Sequence, residues 1–237
     1  MKKKKSVSVI IPFRNEEKNL KILIPLIIKE IKKINKFKIN LILVNDRSTD
    51  SSLKICKKFE TRHKKFLKIK NLTQRGFQTG ALKCGIDSTK SDFIILMDAD
   101  LQDDPLKIKL FIKKIIEKNE LVIGVRVKRK AASILKIGLK VYDYIFYKVL
   151  NKKIPTYRAQ YAAYETKFIK KVKMKKNDHR YLIPIAITRG AKKIGIIKLE
   201  LKKRKFGKSN YNQYLKSIFG VFEVFKFIYR LKKGYYS

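Results

Sequence analysis

Through the first half of the chain, short continuous apolar runs alternate with segments whose apolar residues return every three or four positions. Val7–Pro12 (VSVIIP), Ile39–Asn45 (INLILVN) and Asp92–Asp98 (DFIILMD) are runs of the kind that fill parallel strands covered on both faces. Phe66–Leu72 is a weaker strand, and Leu121–Val127 is a fifth. Lys18–Lys33 carries Leu20, Leu23, Ile24, Ile27, Ile28 and Ile31 at helical spacing, although Pro25 inside it predicts a kink or a late start. Ser48 and Asp50 are N-cap candidates for a helix over Ser51–Phe59, and Gly80–Ser88 reads as a short helix. Asp104 and Pro105 open a helix that runs to about Lys118, with the acid at the cap and proline at the first position.

Five strands joined by helices predict an α/β doubly wound, mostly parallel sheet, with ligands at the carboxyl ends of the strands. The second half breaks this rhythm. Ala132–Leu150 reads as an aromatic-rich helix, Gln160–Glu165 as a short strand, Tyr181–Arg189 as a helix interrupted by Pro184, and Ala191–Lys202 as a strand. Tyr211–Leu231 is a C-terminal amphipathic helix. Tyr211, Tyr214, Leu215, Ile218, Phe222, Phe225 and Tyr229 share one face, and Asn212, Lys216, Glu223, Lys226 and Arg230 the other. Such a face suits either a membrane interface or the domain core, and the pattern does not choose between them. With no repeat and no flexible linker, the expected organisation is one domain over residues 1–210 and a terminal helix over 211–237.

The 237 residues hold 60 Lys and Arg against 19 Asp and Glu, a formal charge of +41, yet 45% are hydrophobic, which excludes a disordered polycation. The longest uncharged stretches, Ser6–Phe13 and Tyr181–Thr188, have eight residues each. A spanning helix needs roughly 20, so none is expected. The basic Met1–Lys5 leads into a strand-like run rather than the apolar stretch of a signal peptide. Cys56 and Cys84 lack metal-like spacing and read as reduced cytoplasmic thiols. Lysine is spread over almost every segment, so the charge reads as background. It attracts nucleic acid, anionic lipid and phosphorylated small molecules without choosing among them.

In a chain so poor in acids, their positions carry information. Four of the ten aspartates, Asp98, Asp100, Asp103 and Asp104, fall in DADLQDDP directly after an apolar strand. Glu16 and Glu17 follow the first strand, and Asp46 and Asp50 the second. Asp98 and Asp100, two apart beyond a strand end, offer oxygen ligands to one hard cation, Mg²⁺ or Mn²⁺, whose other positions go to phosphate oxygens and water. Such a cation would neutralise a departing diphosphate. Asp104 reads more simply as a helix cap.

Taken together, VSVIIPFRNEE, LILVNDRSTD, ILMDADLQDDP, VIGVR and RKFGKSNY resemble the family 2 glycosyltransferases, and among them the dolichol-phosphate mannose synthase-like and bacterial polyprenyl-phosphate enzymes. The resemblance implies a GT-A fold and inverting transfer of a sugar from a nucleoside diphosphate donor. It implies that Pro12, Arg14, Glu16 and Asp46 hold the base and ribose, and that Asp98 and Ala99 line the nucleotide and diphosphate. Asp100 and Gln102 match the metal-binding pair, and Arg126 and Arg204 the arginines on the donor phosphates and sugar. Three departures stand out. Asn210 replaces a lysine, which passes a phosphate contact to Lys208. Phe77 stands where glycine is expected. The segment TYRAQYAAYE, with Tyr157, Arg158 and Gln160, lacks an expected acid.

The acceptor sets the remaining chemistry. A hydroxyl acceptor needs a general base, whereas a phosphate monoester, with its second pKa of roughly 6, is already largely a dianion. Asp178 in NDHRYLIP is the candidate base and thereby a candidate catalytic residue beside Asp100, Arg126 and Arg204. The resemblance puts His179 and Arg180, with Ser209, on the acceptor side, while His179 also suits a plain surface position. The favoured expectation is hexose transfer from a UDP- or GDP-sugar to a polyprenyl phosphate by a cytoplasmic enzyme peripheral to an anionic membrane. The alternative is a sugar-hydroxyl acceptor in surface polysaccharide or lipopolysaccharide synthesis, with Asp178 as base. Nucleic acid is not expected as a partner, since no RNA-binding motif accompanies the charge. A nucleotidyltransferase would carry a glycine-rich loop where this chain has PFRNEE.

Overall fold

A computed structural model describes residues 4–127, 133–157, 159–200, 206 and 213–237, with only the backbone described for 133–139 and 213–221. The apolar runs become β1 (Ser6–Phe13), β2 (Lys38–Asn45), β3 (Leu67–Asn71), β4 (Phe93–Leu96) and β5 (Leu121–Val127). Two further strands follow, β6 (Ala162–Glu165) and β7 (Ile194–Glu200). They form one sheet in the order β3-β2-β1-β4-β6-β5-β7. β1 pairs in parallel with both β2 and β4, β2 with β3, and β5 with β7. Only β6 runs antiparallel, between β4 and β5, so the sheet is mostly parallel, as the alternating pattern predicts.

Because side chains alternate across a strand, β1 feeds two cores. Val7, Val9, Ile11 and Phe13 face one side, with α1 (Glu17–Lys32) and α4 (Ile108–Ile116). Ile10 faces the other, which holds α3 (Phe77–Ser88), α5 (Ser133–Leu150), α6 (Leu182–Thr188) and α7 (Gln213–Lys232). The remaining helix, α2 (Ser52–His63), buries Cys56 in the first core. Helix α1 runs unbroken from Glu17 through Pro25, so the late start is not found. Pro25 and Lys21 are both exposed, where water takes the carbonyl that proline cannot pair.

Helix α7 does not choose between the two uses expected of it. Val224, Phe227, Ile228 and Leu231 are buried in the second core, whereas Phe222, Phe225 and Tyr229 are 63%, 57% and 66% exposed. Among the described residues no helix is long and apolar enough to cross a membrane.

The strand order reverses between β1 and β4, and the chain leaves the sheet at Met97, earlier than the run to Asp98 suggests. Asp98 thus begins the loop beyond the strand end. At the far side Gly124 lets β5 approach its neighbours. A Cβ there would meet the Tyr161 carbonyl oxygen at 2.6 Å and Leu199 Cδ1 at 2.5 Å, and the Gly124 amide already donates to that carbonyl. Gly124→Ala is expected to cost about 1–3 kcal/mol by overpacking, read as a lowered urea midpoint with an unchanged slope.

Candidate active site

The loops leaving β1 and β2 are stitched together before they reach the cleft. The Glu16 amide donates to Ser52 Oγ at 2.8 Å, and the Ser51 amide to Glu17 Oε2 at 3.1 Å. The N-cap of α2 is Ser51 rather than Ser48 or Asp50; Asp50, one residue earlier, accepts from the Ser52 amide at 2.9 Å and the Glu17 amide at 3.3 Å. Ser48 instead donates to Asn45 Oδ1 at 2.6 Å, a turn contact rather than a cap.

At the switch point lies a cleft of about 520 Å³ lined by Pro12, Arg14, Glu16, Asp46, Asp98, Ala99, Asp100, Gln102, Arg126, His179 and Arg180, all residues singled out in the sequence. Arg204, Lys208 and Ser209, with Arg158 and Asn210, lie outside the described residues. Asp46 is buried and Oδ1 accepts the Gly76 amide at 2.7 Å, which fixes the carboxylate at the cleft floor. Arg14 Nη1 is buried without a hydrogen-bond partner among the described residues, and Arg14 lines the cleft.

Asp98 and Asp100 stand on the cleft wall, where Asp98 Oδ1 accepts from Gln78 Nε2 at 3.1 Å and Asp100 Oδ1 from the Gln102 amide at 3.1 Å. Among the described residues no cluster of three or more His, Cys, Asp or Glu side chains forms a complete metal cage. Two carboxylates and an amide oxygen, all hard donors at one wall of an open cleft, fit Mg²⁺ or Mn²⁺ that shares its coordination with phosphate and water.

Two members of the acid cluster do other work. Asp104 caps a 3-10 turn over Pro105–Lys107, accepting the Leu106 amide at 3.1 Å, as the cap signature predicts. Asp103 is buried and accepts from Arg126 Nη2 at 2.9 Å. Burial raises its carboxyl above the ordinary range, and the Arg126 charge opposes that rise. Sequence reasoning missed this pairing, because the two partners lie on different elements with no local spacing to join them.

A 3-10 turn over Asp178–Tyr181 adds His179 and Arg180 to the cleft lining. His179 Nδ1 lies 2.8 Å from Thr79 Oγ1, which also accepts the Asn177 amide at 3.0 Å. The Thr79 hydroxyl thus ties the imidazole ring to the backbone that leads into the turn. Burial pushes the His179 pKa down to about 4, with the Arg180 charge adding to the fall. Burial thus favours the neutral imidazole and places His179 in the cleft lining rather than on the open surface, beside the charge of Arg180. Thr79 had no signal in the sequence.

Asp178 is placed differently from its expected role. It is fully buried, does not line the cleft, and accepts from Arg230 Nη2 at 2.6 Å, the Lys175 amide at 2.7 Å and the Tyr236 hydroxyl at 2.8 Å. A general base needs hydrogen-bond reach to the reactant, and Asp178 is turned away from it. Phe77, where glycine was expected, takes a left-handed φ of 53° that explains the expectation. Its ring lines the cleft, with the Arg75 guanidinium 4.3 Å from its centre.

A switch-point crevice lined by carboxylates together with arginines and a histidine belongs to the nucleotide-binding doubly wound folds. The chain matches the model of Glycosyl transferase family 2 over residues 8–173 and belongs to that family. It is 29% identical over 210 residues to a dodecaprenyl-phosphate galacturonate synthase of Rhizobium johnstonii, covering 86% of this chain and 61% of that one. It is 28% identical over 214 residues to an undecaprenyl-phosphate 4-deoxy-4-formamido-L-arabinose transferase of Pectobacterium atrosepticum, covering 90% and 64%. The chain thus spans a little under two thirds of the length of these relatives. Its GT-A fold is shared with glucosyl-3-phosphoglycerate synthase of Mycobacterium tuberculosis in complex with Mn²⁺, UDP and glucosyl-3-phosphoglycerate. The TM-score is 0.65 at 13% identity, over 98% of this chain and 80% of that one.

The neutral imidazole gives a pH test. His179 has an ordinary pKa of 6.5 and a folded value of about 4. The unfolded chain therefore binds the extra proton between these values, and stability is lost as pH falls from 6.5 towards 4. Measured by urea unfolding, His179→Gln is expected to show a shallower loss over that window than the parent protein. Equal slopes would mean that the imidazole is not buried neutral.

Proposed function

We propose that the chain catalyses inverting transfer of a hexose from a UDP- or GDP-sugar to a polyprenyl phosphate, dependent on Mg²⁺ or Mn²⁺. One observation carries the choice of acceptor. The 3-10 turn at the cleft presents the buried His179 and the charged Arg180, and the carboxylate beside them, Asp178, is buried on Arg230 and does not line the cleft. A wall with donors and no accessible base suits an acceptor that arrives already ionised. The names of the two relatives, both of which include a polyprenyl phosphate, support the same acceptor class.

In this scheme Asp46 accepts from the nucleobase and Arg14 donates to the nucleoside. Arg126, held by Asp103, turns its guanidinium to the donor phosphates, where a fixed charge binds oxygens in pairs. Asp98, Asp100 and Gln102 would hold the divalent cation, which when bound neutralises charge on the departing diphosphate. An acceptor phosphate oxygen, oriented by His179 and Arg180, forms the new bond at the anomeric carbon. The bond to the diphosphate breaks on the opposite side, which inverts the configuration. Arg204 and Lys208 would complete the grip on the donor, and Ser209 the acceptor side.

The acceptor also implies a place for the protein. The exposed Phe222, Phe225 and Tyr229 of α7, with Val141, Tyr144 and Tyr147 of α5, are apolar rings and side chains set among lysines. Their helices touch through Phe146 and Phe227, whose ring centres lie 5.8 Å apart. Amphipathic rings with basic flanks suit the headgroup region of an anionic bilayer, and we place the protein there as a peripheral enzyme.

Thermal-shift measurements with UDP-, GDP- and CMP-sugars, with and without Mn²⁺, followed by product analysis with undecaprenyl phosphate, test the proposal. Stabilisation by a UDP- or GDP-sugar and a lipid-linked hexose product are expected. No shift with any donor would sink it, and product formed only on a sugar hydroxyl would overturn the acceptor. Asp100→Ala is expected to lower turnover by on the order of a hundredfold or more while leaving the fold intact. Full turnover in that variant would remove the metal assignment.

A further inference from the structure

Asp178 has no place in the cleft, yet donors from three segments converge on it: the Lys175 backbone, Arg230 of α7 and Tyr236 beyond the end of α7. Arg230 Nε also donates to the Tyr236 hydroxyl at 2.7 Å, which closes the group on itself. One face further along α7, Glu223 Oε1 accepts from Asn177 Nδ2 at 2.6 Å, and Glu223 Oε2 lies 3.6 Å from Arg180 Nη1. Asn177 takes a left-handed φ of 71°, so the chain enters the 3-10 turn through a conformation that needs outside support. The turn is therefore held from two sides, by Thr79 of α3 and by the polar residues of α7. Below them Tyr181 stacks on Phe227 with ring centres 4.1 Å apart.

Stability alone does not account for the charges. Removing two ions from water offsets most of their attraction, and an apolar pair of similar volume would hold α7 about as well. What Arg230 adds is direction: a guanidinium bonds a carboxylate only along fixed lines, and those lines orient the turn.

We propose that Asp178, Arg230 and Tyr236, assisted by Glu223, are positioning residues through which α7 sets the orientation of His179 and Arg180 at the acceptor wall. None of the four enters the cleft. The proposal rests on the reading of that wall as the acceptor side, and its test separates the two.

The variants are Tyr236→Phe, which keeps the ring against Phe227, and the double variant Asp178→Asn with Arg230→Met, which removes both charges so that neither is buried alone. The chain has two histidines, so His63→Gln leaves His179 as the single imidazole for ¹⁵N NMR. In the parent, the ring nitrogens are expected to give the well-separated resonances of one fixed neutral tautomer. In both variants they move towards each other as the ring is released. With undecaprenyl phosphate as acceptor, its KM is expected to rise roughly tenfold, with kcat changing less and the UDP-sugar Kd within about twofold. Arg230→Lys, which keeps the charge but not the fixed lines of the guanidinium, is expected to show most of the same loss.

Unchanged His179 resonances and an unchanged acceptor KM in the folded double variant would overturn the proposal. So would an equal loss of donor and acceptor affinity, the mark of general loosening. If the parent turns over no polyprenyl phosphate while its imidazole resonances still respond to the variants, positioning of His179 stands and the acceptor assignment falls.

Discussion

The cleft exists because of one constraint on β1: it pairs in parallel with both β2 and β4, and the chain continues outward in opposite directions from there. Parallel strands end at the same sheet edge, so the loops after β1, β2 and β4 all emerge there. The reversal of order makes the loops after β1 and β4 part company. The other end of the same strands is closed. Ser8, fully buried in β1, shares hydroxyl contacts of 2.7 Å with Thr89 and 2.8 Å with Ser91, just before β4. A sheet pinned at its amino ends and parted at its carboxyl ends leaves room for a ligand in one place.

Backbone conformation follows the same division. Asn15, Arg47, Phe77, Leu101 and Asn177 all take positive φ, and all lie on segments that border the cleft or its supporting turn. Each is a sharp redirection of chain that a regular element does not need. Together they carry strain that the hydrogen bonds between loops offset. The bonds joining Glu16, Glu17 and Asp50 to the start of α2 are part of that support. The overall charge of +41 gives the few carboxylates at this edge their distinct character.

Which residues were legible in the sequence depended on how local their role was. Strand runs such as VSVIIP announce themselves because a strand buried on both faces must be apolar at consecutive positions. The Asp104 cap was legible because its partner lies two residues away. Asp46, Asp98 and Asp100 stood out as acids at predicted strand ends, and the cleft gathers all three. The pairing of Asp103 and the burial of Asp178 were not legible, for a single reason. Each is neutralised by an arginine 23 or 52 residues along the chain, and no periodicity records such a pairing. Thr79 was invisible because a threonine in a helix has no distinguishing pattern until the His179 ring is placed against it.

Helix α7 shows the same limit in apolar terms. The spacing of its aromatics predicts a face, but two apolar stripes run along it, and only packing decides which one the core takes. Val224, Phe227 and Ile228 are buried, and Phe222, Phe225 and Tyr229 are left outside. The strand-and-helix alternation and the carboxylates at strand ends were legible because each depends on neighbours within a few residues, and the family was legible because its motifs recur in order along the chain. Which acids face the cleft, which pair with arginine inside the protein, and the burial of His179 against Thr79 are visible only in the folded chain. Those are properties of burial and of partners distant in the chain, and folding is what brings the partners together.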